Sequence, residues 1–149
     1  MLYLLIGILT IYVIFFVVLR IGWQKVPEYI ISGYKASLNI SVIIVARNEE
    51  KNILSLLNDL EGQSYSREMF EVIIVDDCSE DQMSEKIESF RFTSGLDVRL
   101  FSLINEPVHK QNKKGGIEYA MGYAKGDLIV LTDADCVLPK DWLMSMVSF

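Results

Sequence analysis

The apolar run Leu128 to Leu131 ends at "TDADC", which sets two carboxylates, Asp133 and Asp135, on either side of Ala134. In an extended segment residues i and i+2 point to the same side, so this spacing predicts two carboxylates sharing one space at the end of a buried strand. Like charges placed there are unfavourable unless they are paired or bind a cation. Two other polar clusters also follow apolar runs: Arg47-Asn48-Glu49 after "ISVIIVA", and Asp76-Asp77 in "IIVDDCSED". A basic stretch, Lys113-Lys114-Gly115, precedes the last run. Carboxylates for a cation and ammonium groups for an anion are the ingredients of a site for an anionic ligand that arrives with a metal.

Each cluster has an ordinary alternative. Asp76-Asp77 followed by Ser79 also fits a turn and a helix cap, and the lysines also fit a solvated loop. Glu49 and Glu50 suit a first helical turn, where they complement the helix dipole. His109 reads as exposed in a polar loop, and Cys136 as a neighbour of the site that does not act in it. Asp133 with Asp135 is the pair hardest to explain without a ligand.

The elements that must position these residues are legible from periodicity. The run Ile40 to Val45 reads as a strand, and Ile53, Leu56, Leu57 and Leu60 then recur at helical spacing, with Asn48 as N-cap and Gly62 as C-terminal stop. Phe70 to Val75 predicts a second strand, followed by a helix with Met83, Ile87 and Phe90 on one side and Ser79 as its cap. "DVRLFSL" predicts a third strand, the polar loop "INEPVHKQNKKGG" leads to a short helix through Ile117 to Ala124, and the fourth strand ends in TDADC. Strands alternating with helices predict a mostly parallel α/β sheet with helices on both faces. Ligands in such sheets bind beyond the carboxyl ends of the strands, so the polar clusters are expected to converge on one edge.

The N-terminal stretch Leu2 to Leu19 carries no charge and spans about 27 Å as a helix, enough to cross a bilayer. No basic n-region or small-residue cleavage site marks it as a signal peptide. Residues 1–22 therefore read as a transmembrane anchor, residues 23–38 as a linker, and residues 39–149 as a domain whose last segment looks like the start of a helix, so that it reads as C-terminally truncated. Arg20, Lys25 and Lys35 follow the span, which predicts a cytoplasmic domain, and Trp23 and Tyr29 suit the membrane interface. The net charge of −6 and pI of about 4.8 exclude broad nucleic-acid binding. Cys78 and Cys136 lack metal-ligand spacing and read as reduced thiols.

In their order and spacing "SVIIVARNEE", "IIVDDCSED", "KKGGIEYAMGYAKGD" and "LIVLTDADC" resemble the nucleotide-sugar-binding half of the inverting glycosyltransferases of family 2, over about Ile40 to Trp142. The resemblance implies a Rossmann-like GT-A fold, a nucleotide diphosphate-sugar donor and a divalent cation, Mg2+ or Mn2+. It implies that Asp135 ligates the metal with Asp133 close to it and to the ribose, alongside Ala134. Asp77 would contact the base while Asp76 shapes the turn. Ala46, Arg47, Asn48 and Glu49 would wrap the nucleoside, with Val45 standing where the family pattern has proline. Lys114 and Gly115 would lie against the nucleotide, Lys114 reaching phosphate or base. The acceptor, whether lipid, saccharide or another molecule, and the catalytic base are expected from a further half beyond Phe149.

Two other readings fit parts of the chain. "DADCV" also matches the D-x-D-x-T/V nucleophile of haloacid-dehalogenase-type phosphatases, although there the motif normally follows the first strand and here three strands precede it. A non-catalytic, membrane-anchored nucleotide-binding fragment would keep the sheet without transferring anything. A dinucleotide-dependent oxidoreductase is disfavoured, since no G-x-G-x-x-G follows the first strand.

Overall fold

A computed structural model describes residues 1–26, 38–104 and 112–148. Tyr29, Lys35, His109 and most of the expected linker lie outside the described residues. The chain divides into two units, residues 1–32 and 33–149. The first contains α1 (Leu2–Gln24), a helix of 23 residues with a mean hydropathy of 2.9 and none of its apolar window buried. It is long and apolar enough to cross a membrane.

The second unit runs β1 (Ile40–Ala46), α2 (Ile53–Glu61), a short 3-10 turn (Arg67–Met69), β2 (Phe70–Asp76), α3 (Met83–Thr93), β3 (Asp97–Ser102), α4 (Lys113–Met121), β4 (Leu128–Thr132) and α5 (Trp142–Val147). The four strands form one parallel sheet in the order β3-β2-β1-β4. The expected parallel α/β architecture is therefore present, with its direction of winding reversed between β1 and β4.

Alternation along β1 and β2 sorts their side chains between two cores. Ile40, Val42 and Ile44 of β1 and Val72 and Ile74 of β2 pack with Leu56, Leu57 and Leu60 of α2, Met83 and Ile87 of α3, and Leu143 and Val147 of α5. Ile43, Ile73 and Val75 face the other way and pack with Ala120 of α4. Both faces of β1 and β2 are thus covered, which explains why they read as continuous apolar runs. Each aliphatic side chain that α2 buries contributes roughly 1.5–3 kcal/mol relative to exposure. Gly116 lets α4 approach the sheet: a Cβ there would lie 2.7 Å from Cγ1 of Val45.

The strand that carries TDADC is not buried as expected. Among the described residues β4 pairs on one side, with β1. Its Val130 is buried, whereas Ile129 is 38% and Leu131 52% exposed.

At the amino ends of the strands a buried carboxylate that periodicity did not reveal ties the sheet together. Glu71 lies opposite Ser41 in the β1–β2 register. It accepts from the Ser41 hydroxyl at 2.6 Å and from the Lys125 amide at 2.7 Å, and is ion-paired with Arg99. Gly126 donates its amide to Ser41 Oγ at 2.8 Å, and any Cβ at Gly126 would collide with the β1 backbone, 2.4 Å from the Ser41 nitrogen. Burial is the largest influence on the Glu71 carboxyl and acts to raise its pKa, but the hydroxyl, the amide and the guanidinium together hold it below its ordinary 4.5.

A folded-state pKa below the unfolded one means that the unfolded chain takes up the proton first. The stabilisation is therefore complete above pH 4.5 and is lost as the pH falls through the lower folded-state value. In denaturant titrations the stability advantage of the wild type over Glu71→Gln is expected to shrink with acidification below this point. A gap that stays constant between about pH 7 and 3 would show that the charge of Glu71 contributes nothing.

Candidate functional site

The strand register brings the polar clusters to one edge. Ala46 is level with Asp76, and Asp76 with Ser102, while Thr132 at the end of β4 is level with Ile44. Asp133 therefore begins its turn beside the last residues of β1, at the point where the strand order reverses. Such a switch point is where open α/β sheets take their ligands.

The loops after β1 and β2 are clamped to each other. Asn48 adopts a left-handed backbone, φ 57°, which asparagine tolerates better than most residues. Its amide donates to Ser79 Oγ at 2.9 Å, and its Oδ1 accepts the Glu80 amide at 2.8 Å. Two residues further along each loop, the Glu50 amide donates to Asp81 Oδ2 at 2.9 Å and the Gln82 amide to Glu50 Oε2 at 3.1 Å.

These bonds correct two expected caps. Asn52, not Asn48, holds the N-cap position of α2, and Gln82, not Ser79, that of α3, because Asn48 and Ser79 are engaged with each other's loops. Glu49 accepts from the Asn52 side chain at 2.7 Å, and Arg47 is exposed. Of the residues expected at the site, Arg47 to Glu49 thus sit on a braced loop that follows Ala46, the last residue of β1.

The two aspartates after β2 differ in their surroundings. Asp76 is buried, and each of its oxygens accepts one bond, from the Ser79 amide and the Ser84 hydroxyl, both at 2.8 Å. Asp77 donates its backbone amide to Ala46 O at 2.9 Å, while its Oδ1 is buried with no hydrogen-bond partner. A buried acceptor left unsatisfied is costly, and the Asp77 residue as a whole is only half-buried.

The D-x-D segment forms a turn, not an extended strand end, closed by the Cys136 amide donating to Asp133 O at 3.2 Å. The expectation that both carboxylates share a side because of strand alternation therefore fails. Both lie on this turn: Ala134 is buried in the core and anchors it, while Asp133 and Asp135 are exposed.

The basic residues are also rearranged relative to expectation. Lys113 and Lys114 belong to the first turn of α4, which starts at Lys113 instead of near Ile117 because Asn112 Oδ1 caps the Gly115 amide at 2.9 Å. Lys113 Nζ reaches Asp133 Oδ1 at 2.5 Å. Lys114 is 87% exposed and lies 3.8 Å from Glu118, so the lysine directed to the strand ends is Lys113. A usable signal existed: once Asn112 is taken as the cap, Lys113, Ile117 and Ala120 follow one i, i+4, i+7 stripe towards the sheet.

A cleft of about 600 Å³ lies here, lined among others by Ile43, Val45, Lys113, Leu131, Asp133 and Trp142. Arg47, Asn48 and Asp77 lie at the same sheet edge outside that lining, and Gly115 is buried within α4. A second cavity, about 480 Å³, opens at the amino ends of the strands beside Arg67, Glu71 and Lys125, away from every site residue expected from the sequence. Among the described residues no three His, Cys, Asp or Glu side chains group closely enough to cage a metal. Two exposed carboxylates on one turn nonetheless suit Mg2+ or Mn2+, which take one or two carboxylates and complete their shell with phosphate oxygens and water.

A parallel α/β sheet with its polar side chains gathered at a switch point beyond the carboxyl ends defines a Rossmann-like ligand-binding domain, here of the GT-A type. Glycosyl transferase family 2 matches residues 41–149, and the chain belongs to that family. This displaces the phosphatase reading of "DADCV".

The poly(ribitol-phosphate) beta-N-acetylglucosaminyltransferase TarS of Staphylococcus aureus is 33% identical over 113 residues, covering 75% of this chain and 19% of TarS. The amylovoran biosynthesis glycosyltransferase AmsB of Erwinia amylovora is 36% identical over 113 residues, 74% of this chain and 35% of AmsB. The chain thus spans about a fifth to a third of the length of these relatives. Among solved structures, S. aureus TarS in complex with UDP-GlcNAc superposes with a TM-score of 0.64 at 32% identity, covering 74% of this chain and 30% of the other. The mannosyltransferase PcManGT of Pyrobaculum calidifontis in complex with GDP-Man and Mn2+ superposes with a TM-score of 0.73 at 26% identity, covering 85% and 36%.

Proposed function

We propose that this chain is the donor-binding half of a membrane-anchored, inverting, metal-dependent glycosyltransferase that draws its sugar from a nucleotide diphosphate-sugar. The observation that carries the reading is the half-buried Asp77, whose carboxylate has no hydrogen-bond partner at Oδ1, beside an Asp76 whose two oxygens are both engaged within the turn. A carboxylate held there accepts the imide N–H of uracil and has no proton to donate. Complexes of family relatives with UDP-GlcNAc and with GDP-Man and Mn2+ support the donor class and the cation.

In this reading Ala46 and the braced loop Arg47 to Glu49 flank the nucleoside, Asp77 holds the base, and Asp133 and Asp135 hold the cation, with Asp133 also near the ribose. Lys113 approaches the diphosphate, the place earlier given to Lys114, and Gly115 allows the α4 backbone close to it. The cation, when bound, offsets the negative charge that builds on the diphosphate as it departs. The acceptor hydroxyl oxygen attacks the anomeric carbon in line as the bond to the diphosphate oxygen breaks. The hydroxyl proton passes to a carboxylate elsewhere in the intact enzyme, and the anomeric configuration inverts. The acceptor is a lipid, a saccharide or another molecule.

Arg20, near the end of α1, and Lys25, just after it, follow the uncharged stretch Leu2 to Leu19, so α1 anchors the enzyme with this domain in the cytoplasm. Nucleic acid is not a partner, given the net charge of −6.

Isothermal titration of the chain in detergent tests this reading. Weak binding of uridine diphosphate is expected with Mn2+ and none with chelator, and product analysis is expected to find no transfer by this chain alone. Binding that ignores the chelator would remove the cation from the mechanism.

A further inference from the structure

Lys113 and Asp133, both lining the cleft, form an ion pair, Nζ to Oδ1 2.5 Å, at a position where the proposed function, on which this inference rests, puts a divalent cation. Helix α4 presents this ammonium from a fixed base. Asn112 caps it, and Gly116 allows it to lie against Val45 of β1, the neighbour of β4. Among the described residues Asp135 has no ion pair.

We infer that Lys113 is a resident counter-cation of the D-x-D turn. It neutralises Asp133 while no nucleotide is present, and so makes divalent-metal uptake conditional on a diphosphate that draws the ammonium away.

Two carboxylates with one ammonium present a net charge of −1 to an arriving dication instead of −2, which roughly halves the attraction. The turn then binds metal poorly by itself. A diphosphate supplies oxygens both to the metal and to the Lys113 ammonium, a compact charge on a flexible four-carbon stem that can exchange one anion for the other. Asp133 is thereby released at the moment the metal has its phosphate ligands. The pair is exposed on both sides, 62% for Lys113 and 53% for Asp133, so its hold is modest and reversible.

The test is Mn2+ affinity without nucleotide, read from the electron paramagnetic resonance signal of free Mn2+ in titrations of the whole chain in detergent. Lys113→Met is expected to bind Mn2+ about three- to tenfold more tightly than wild type, the scale of an exposed ion pair together with the repulsion it removes. Lys113→Arg, which keeps the charge, is expected to stay within about twofold of wild type. With saturating uridine diphosphate the advantage of Lys113→Met is expected to vanish or reverse.

Equal Mn2+ affinity of Lys113→Met and wild type, including no measurable binding by either, overturns the inference. So does a Lys113→Arg chain that binds as tightly as Lys113→Met. Failure of the underlying function is a separate result, since it appears as chelator-insensitive nucleotide binding by the wild type.

Discussion

Replacing Asp135 by asparagine in the intact enzyme is expected to lower sugar transfer on the order of 10²-fold or more, the usual cost of removing a group that stabilises charge in the transition state. Asparagine keeps the size and the carbonyl oxygen of aspartate and removes its charge. The turn that holds residue 135 is closed by a backbone bond from Cys136 to Asp133 and anchored by buried Ala134. Neither depends on the Asp135 side chain, which is exposed. The thermal midpoint is therefore expected to move little while the rate collapses, and steady-state rates beside melting curves read both. A rate within twofold of wild type would take Asp135 out of the site.

Asp77→Ala is expected to weaken uridine diphosphate binding by about 10- to 100-fold, the range for losing a hydrogen bond to a charged acceptor. Inorganic pyrophosphate, which has no base, should lose less than about twofold if Asp77 contributes one hydrogen bond to the base. The comparison separates recognition from architecture. The structural contribution of Asp77 is its backbone amide, bonded to Ala46 O, and alanine retains that bond. Competition calorimetry with the two ligands gives both numbers, and equal losses would mean that Asp77 acts through the shape of the turn.

Much of this protein follows from local pattern. The buried stripe Ile53, Leu56, Leu57 and Leu60 and the continuous apolar runs of β1 and β2 each state their own burial through composition and period, because an element must hide whichever face it makes apolar, and the length and hydropathy of α1 are likewise read from composition. The succession of strand and helix then constrains the sheet to be parallel, which brings Asp76-Asp77 and Asp133-Asp135 to the carboxyl edge before any contact is known.

The tertiary structure decided which side chains meet. Lys113 rather than Lys114 reaches Asp133, 20 residues away, because the Asn112 cap sets the phase of α4 and Gly116 sets its distance from β1. Asn48 and Ser79, which local rules assign to helix caps, clamp two loops together across 31 residues. The TDADC carboxylates share a turn rather than a strand face, and Glu71 is held by groups from β1, β3 and the approach to β4. Periodicity records how much of an element is hidden, whereas the identity of each polar partner depends on strand order and helix distance, which are set only when the whole sheet assembles.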